Sequence, residues 1–249
     1  MKAIFIAAGR GSRLGSLTED LPKPLVDING KSIIERQIEL LHKKNIDDII
    51  IVTGYKKEKF EFKNVKYIFN PNFLTDEQAG SLMSARQKFS GDVLIMFGDI
   101  LFDEHILQQV LDSSGDISIA IDKDWEKSYQ ERNDNPIDKA DKVLLKNEKI
   151  IKISAKQIDL QQNEDTGELL GIMKLSSNGS KILIEHYERL EKNHTGNFHD
   201  AESFKKAKFV DILQELLSLG IEINPVPING NWCEIDTFDD LVRAKKIFV

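Results

Sequence analysis

The chain opens with AIFIAAGRGSRL, residues 3–14, an apolar run that gives way to Gly9, Arg10, Gly11, Ser12 and Arg13. A strand that is apolar throughout suits a mostly parallel sheet covered by helices on both faces. Glycines at its carboxyl end let backbone N–H groups come close to an anion, and an arginine adds paired donors. The stretch therefore predicts an α/β fold with its ligand crevice where the strands end.

Working outward, IIIVT (49–53), YIF (67–69), VLIMF (93–97) and ISIAI (117–121) repeat the pattern. Helices fit between them. Ser32 and Glu35 form a capping box ahead of Ile34, Ile38 and Leu41, and Leu107, Val110 and Leu111 mark another helix. Further on, KVLLKNEKIIKIS (142–154) predicts a hairpin around Asn147 and Glu148, and LLGIMKL (169–175) a strand. Leu183, Tyr187 and Leu190 share one helix face, and Val210, Leu213 and Leu217 share another. INPVPI (223–228) and WCEI (232–235) precede a last helix opened by Thr237, with Asp240 three residues on. The expected architecture is a Rossmann-like, mostly parallel (mixed) sheet flanked by helices, with extra strands over the ligand crevice in the second half.

Composition narrows the partners. The 249 residues carry 41 acidic and 34 basic side chains, a net charge of −7, which disfavours a nucleic-acid or anionic-membrane surface. An anion site must then be local. The single cysteine, Cys233, is expected to pack as a small hydrophobe, and the five histidines show no metal-ligand spacing. Without a signal peptide or a membrane-length apolar run, the chain is expected to be cytoplasmic.

Two familiar phosphate loops do not fit the opening. A dinucleotide fingerprint needs glycine where Leu14 stands and a helix at once, whereas Pro22 and Pro24 predict an extended excursion. A P-loop ending at Gly30-Lys31-Ser32 would need glycine at Leu25. A plain glycine turn with solvated arginines is the remaining alternative. Lys23, stiffened between Pro22 and Pro24, argues against it.

AAGRGSRL (7–14) followed by LPKPLVDINGKSIIERQIELL (21–41) resembles the signature of the nucleoside-triphosphate transferases, which join a nucleotide to a sugar phosphate or another small phosphorylated acceptor. MFGDI (96–100), IDKDWEKSYQERNDNP (121–136), GELLGIMKLS (167–176) and NGNWCEIDTFDDL (229–241) follow in the expected order. They are similar to the cytidylyltransferases that act on small phosphonates and phosphorylated metabolites, akin to the phosphocholine and 2-aminoethylphosphonate enzymes. The resemblance implies CTP or another nucleoside triphosphate, a small phosphorylated or phosphonate acceptor, and Mg²⁺. It implies one domain over residues 1–249: a nucleotide-binding core (1–123), a mainly acceptor-binding part (124–236) and a C-terminal helix (237–249). A homodimer is compatible with this reading. The alternatives are a sugar-1-phosphate nucleotidyltransferase using another triphosphate and a catalytically silent nucleotide-binding module; the latter should have lost Lys23, Asp99 or Asp236.

Such chemistry must overcome charge repulsion: two unit anions about 5 Å apart repel by about 3 kcal/mol at an effective dielectric of about 20. Asp99 and Asp236 each follow an apolar strand, where a crevice would form. A turn residue and a helix cap are their dull alternatives. The resemblance makes both Mg²⁺ ligands and adds Lys23 and Arg13 to the catalytic set. It also assigns nucleotide contacts to Ala7, Ala8, Gly9, Gly11, Ser12, Arg13 and Asp99. Gln78 has the donors and acceptor to read a base edge, with Gly80 and Ser81 assisting. On the acceptor side stand Lys23, Asp122, Trp125, Arg132, Glu168 and Trp232. Arg132 is the natural fork for a phosphate or phosphonate. Trp125, Tyr129 and Trp232 offer a wall for an amine-bearing tail, with Glu168 and Asp122 as acceptors; core packing is the alternative for Trp125 and Tyr129. No histidine is needed as a base, because a phosphate monoester with a second pKa of about 6 is already ionised at neutral pH.

Overall fold

The structure is a computed structural model that describes residues 1–249 apart from 130, 131 and 133, which fall inside the 121–136 motif. The opening apolar run is β1 (Lys2–Ala7), followed by a short ribbon, β2 (Asp27–Ile28) with β3 (Lys31–Ser32). Then come β4 (Ile49–Thr53), β5 (Lys66–Phe69), β6 (Val93–Phe97), β7 (Ile100–Phe102) and β8 (Ile117–Asp122). The second half contributes β9 (Lys142–Lys146), β10 (Lys149–Ser154), β11 (Glu164–Leu175), β12 (Asn224–Pro227) and β13 (Trp232–Glu234).

The helices are α1 (Ile33–Lys43), α2 (Gln78–Met83), α3 (Glu104–Asp112), α4 (Ser177–Asn193), α5 (Phe209–Ser218) and α6 (Phe238–Ile247). The capping boxes expected at Ser32/Glu35 and Thr237/Asp240 are both formed. The β9–β10 turn places Asn147 and Glu148 at φ 50° and 61°, the left-handed pair that matches strand twist in a two-residue hairpin. No described helix is long and apolar enough to cross a membrane.

Strands β5, β4, β1 and β6 lie side by side and parallel, as their uninterrupted burial requires. Beyond β6 the sheet changes character. The long β11 runs antiparallel to β6, and also to β8 and β9, which pair with different stretches of it; β12 closes one edge beside β8. The sheet is therefore mixed: parallel from β5 to β6, antiparallel around β11, and parallel again where β12 joins β8. The second-half strands extend it, and residues from β11 and from the loop before β9 wall the crevice.

A correction concerns the segment after the glycine loop. Instead of an extended excursion, residues Ser12–Thr18 and Lys23–Leu25 form 3₁₀ turns. Leu14 is buried there, and the Thr18 hydroxyl donates to the Gly11 carbonyl (2.9 Å), so side chains fold the loop back on itself.

The large core fills both faces of the sheet, while a smaller one positions the site. Leu14, Val26, Ile28, Ile33, Leu101, Cys233, Ile235 and Leu241 pack together, from segments more than two hundred residues apart in the chain. Arg13, Lys23, Asp99 and Asp236 are neighbours of these apolar residues in sequence. Burying the small cluster therefore gathers them.

Candidate active site

At the end of β6, the Gly98 N–H donates to the Ile6 carbonyl (3.0 Å) and the chain turns through Asp99 into β7. β13 lies antiparallel on β7, with Glu234 opposite Ile100, and the Ile235 N–H donates to the Asp99 carbonyl (2.9 Å). Carboxylate oxygens of Asp99, Glu234 and Asp236 consequently lie within 4.8 Å of one another. The Lys23 ammonium stands between two of them, 2.7 Å from Asp99 Oδ2 and 2.6 Å from Asp236 Oδ1. Arg13 Nη2 meets Asp236 Oδ2 at 2.8 Å, and Asn135 Nδ2 donates to the same oxygen at 3.3 Å.

This crowding of charge shifts the protonation of Glu234 and Asp236. Burial pushes the Glu234 carboxyl up, the charges of Asp236 and Asp99 add to this, and it ends well above the usual carboxylate range. Burial also acts on Asp236, but the charges of Lys23 and Arg13 outweigh it and hold that carboxyl below its ordinary value. For Lys23, burial disfavours the ammonium, yet Asp99 and Asp236 more than offset this and keep it protonated. Asp99 Oδ1 is buried with no hydrogen-bond partner among the described residues. An orphaned hard oxygen beside two further carboxylates fits Mg²⁺, which takes oxygen ligands.

Two cavities meet at this cluster. One, of about 270 Å³, is lined by Ala7, Gly9, Gly11 and Ser12 of the opening loop. The other, of about 400 Å³, is lined by Asp141, Glu168, Lys208, Trp232 and Glu234. Arg13, Lys23, Gln78, Phe97, Asp99 and Asp236 belong to both. Gly11 has φ 71°, and a Cβ there would stand 2.6 Å from Lys23 Cβ, so the loop requires glycine at that point.

The remaining sequence expectations divide. Gln78 faces both cavities, but its Oε1 already accepts from the Phe209 N–H (3.3 Å), leaving its amide donors for a ligand. Ala8 lines neither cavity; its carbonyl ties the loop to the Tyr55 N–H (3.0 Å). Gly80 and Ser81 are a correction too. Gly80 lines a separate hollow, and Ser81 is buried, its N–H bonded to the Glu77 carbonyl and its hydroxyl to Asn70.

On the acceptor side Trp232 and Glu168 line the larger cavity. Asp122 supports Trp232 instead, accepting its Nε1–H at 2.8 Å. Trp125 does not form a wall. It packs edge-on against Tyr129 in a small buried cluster with Ala140. Nor is Arg132 an open fork. Its side chain is 1% exposed, bonded through Nε to Asp240 Oδ1 (2.6 Å) and stacked 4.5 Å over the Tyr129 ring. The Tyr129 hydroxyl donates to Glu168, whose carboxyl is pushed up to about 7 by burial, against the hydrogen bond from Tyr129 and the charge of Arg132.

Glu234, Asn135, Asp141 and Lys208 were missed as site residues. Glu234 had a signal: two positions before Asp236 at the end of a strand, it shares a face with it. Asn135 and Lys208 reach the site only through tertiary folding.

Known proteins resemble this chain over nearly its whole length or over part of it. A CTP:phosphoglutamine cytidylyltransferase of Campylobacter jejuni is 29% identical over 252 residues, covering 97% of this chain and 98% of that protein. A choline-phosphate cytidylyltransferase of Streptococcus pneumoniae is 42% identical over 106 residues, 41% of this chain and 46% of that one. The solved CTP:phosphocholine cytidylyltransferase of Streptococcus pneumoniae shares the fold, with a TM-score of 0.76 at 22% identity over 100% of this chain and 99% of its own. The profile of the MobA-like NTP transferase domain matches residues 3–133, a span that holds the glycine loop, Lys23 and Asp99. Since that span is more than half of the chain, the chain belongs to the MobA-like NTP transferase domain family.

Proposed function

We propose that this protein is a CTP-dependent cytidylyltransferase that transfers CMP to a small phosphorylated or phosphonate acceptor and releases pyrophosphate. The observation that carries the reading is the pair of cavities sharing Arg13, Lys23, Asp99 and Asp236 as a common wall. Two anionic substrates would meet at that wall. The relatives' names supply the base and the kind of acceptor.

In this scheme the triphosphate lies along the backbone of Gly9–Ser12, with Arg13 against its charge. Lys23 serves the α-phosphate, its ammonium standing on the wall that the two cavities share. An acceptor oxygen bonds to the α-phosphorus, the bond to the β-phosphate bridge breaks, and the electron pair leaves on pyrophosphate. No proton need move, because the attacking oxygen is already ionised. Asp99 and Asp236, with Glu234 beside them, would hold Mg²⁺, which supplies charge neutralisation at the transferred phosphoryl group when bound. Gln78 directs its amide donors at the base, and Glu168, Lys208 and Trp232 shape the acceptor end. A cytoplasmic location, where nucleoside triphosphates are available, belongs to the same reading.

The test is pyrophosphate release from each of the four nucleoside triphosphates with a panel of acceptors that includes phosphocholine, phosphonates and sugar 1-phosphates. Turnover should require CTP and one of the small acceptors. Turnover confined to a sugar 1-phosphate with another triphosphate would replace this reading with the sugar-nucleotide one.

A further inference from the structure

Asp240 is fully buried, and both of its oxygens are in use. Oδ2 accepts the N–H groups of Asp236 (3.1 Å) and Thr237 (3.0 Å) and the Thr237 hydroxyl (2.9 Å). Oδ1 accepts Arg132 Nε at 2.6 Å. A helix cap needs only the first set. The corresponding Glu35 of α1 completes its box half-exposed, without an arginine. Burying a carboxylate is costly unless a cation and hydrogen bonds compensate it, so the Arg132 pair marks a second task.

The partners identify that task. Arg132 Nη1 and Nη2 have no hydrogen-bond partner among the described residues, where the bond from Nε orients the guanidinium, with the Tyr129 ring beneath it. Nη2 then stands 3.9 Å from Glu234 Oε2. Through one oxygen Asp240 holds the backbone of Asp236; through the other it aims a cation at Glu234. We infer that Asp240 is a positioning residue, which sets two of the three junction carboxylates and couples the segment around Arg132 to the start of α6. This rests on the junction being the reaction site.

Hydrogen exchange of the full chain tests the coupling without substrate or metal. In Asp240→Asn, peptides over 123–141 and over 232–241 should both exchange faster, by about tenfold or more. Thr237→Ala, which removes a cap hydroxyl but leaves the Arg132 pair, should speed only the first turn of α6. Pyrophosphate release then tests the consequence. Asp240→Asn should lose about a hundredfold in kcat with little change in the KM for CTP, as expected for misplaced reacting groups, while Thr237→Ala should stay close to wild type. Should Asp240→Asn not fold, Arg132→Gln is the second variant, expected to speed exchange both over 123–141 and over the first turn of α6, because it strips the cation from the buried Asp240. Faster exchange confined to α6 in Asp240→Asn, or confined to 123–141 in Arg132→Gln, would overturn the inference. Absence of turnover in the wild type with every pair of substrates would instead remove the proposed function, and exchange would still decide the coupling.

Discussion

At Lys23 the ammonium is 2.6 Å from Asp236 and 2.7 Å from Asp99, so removing it leaves two carboxylates facing each other with Arg13 as the nearest cation. Lys23→Met should lower kcat by about 10²–10³-fold, the scale of losing a preorganised charge at a reacting phosphoryl group. The same variant should bind Mn²⁺ more tightly than the wild type in the absence of nucleotide, because an ammonium no longer competes for Asp99 and Asp236. Electron paramagnetic resonance of free Mn²⁺ measures this, and weaker binding would contradict it. Local features singled out Lys23, Asp99 and Asp236, namely flanking prolines and the ends of apolar strands, but only the family resemblance made them one set, and the fold brings them together. The sequence was misleading at Arg132 and Trp125, whose chemistry suits a ligand but whose neighbours, Asp240 and Tyr129, occupy them instead. Asn135 had no local mark at all, since it meets Asp236 across 101 positions of chain.

Among elements, the pairing of β7 with β13 brings the junction together, and Ile235 is its apolar anchor, fully buried beside Leu14, Leu101 and Leu241. Ile235→Ala should cost about 2–5 kcal/mol of stability by leaving a cavity. It should also lower kcat, since Asp236 follows directly and Leu14 adjoins Arg13. Denaturant unfolding and pyrophosphate release check the two effects together; a stability loss with undiminished turnover would separate the small core from the site. Strand and helix positions were largely legible, because an unbroken apolar run or an i, i+4 stripe reports burial directly. The loop after Gly11 was not. Pro22 and Pro24 suggested extension, yet burial of Leu14 and the Thr18 bond to Gly11 close it into 3₁₀ turns.

Over the whole molecule, the parallel strands from β5 to β6 carry the glycine loop, and the antiparallel β11 brings Glu168 to the wall of the larger of the two cavities. Burial raises the Glu168 carboxyl from an ordinary 4.5 to about 7. The folded state then holds a proton that the unfolded chain releases, so stability falls as pH rises between these values. Glu168→Gln removes this dependence and should be more stable than the wild type by up to about 3 kcal/mol above pH 7, with little difference near pH 4.5. Urea unfolding across that range reads the difference; equal stabilities at every pH would contradict the buried placement. The most direct measurement concerns the junction itself. Asp236→Asn, checked for unchanged melting temperature, is assayed for pyrophosphate release from CTP with the acceptor that the wild type uses. A fall of about 10²–10³-fold or more is expected for the loss of a charge that organises the reacting phosphates. Turnover equal to the wild type would contradict the account.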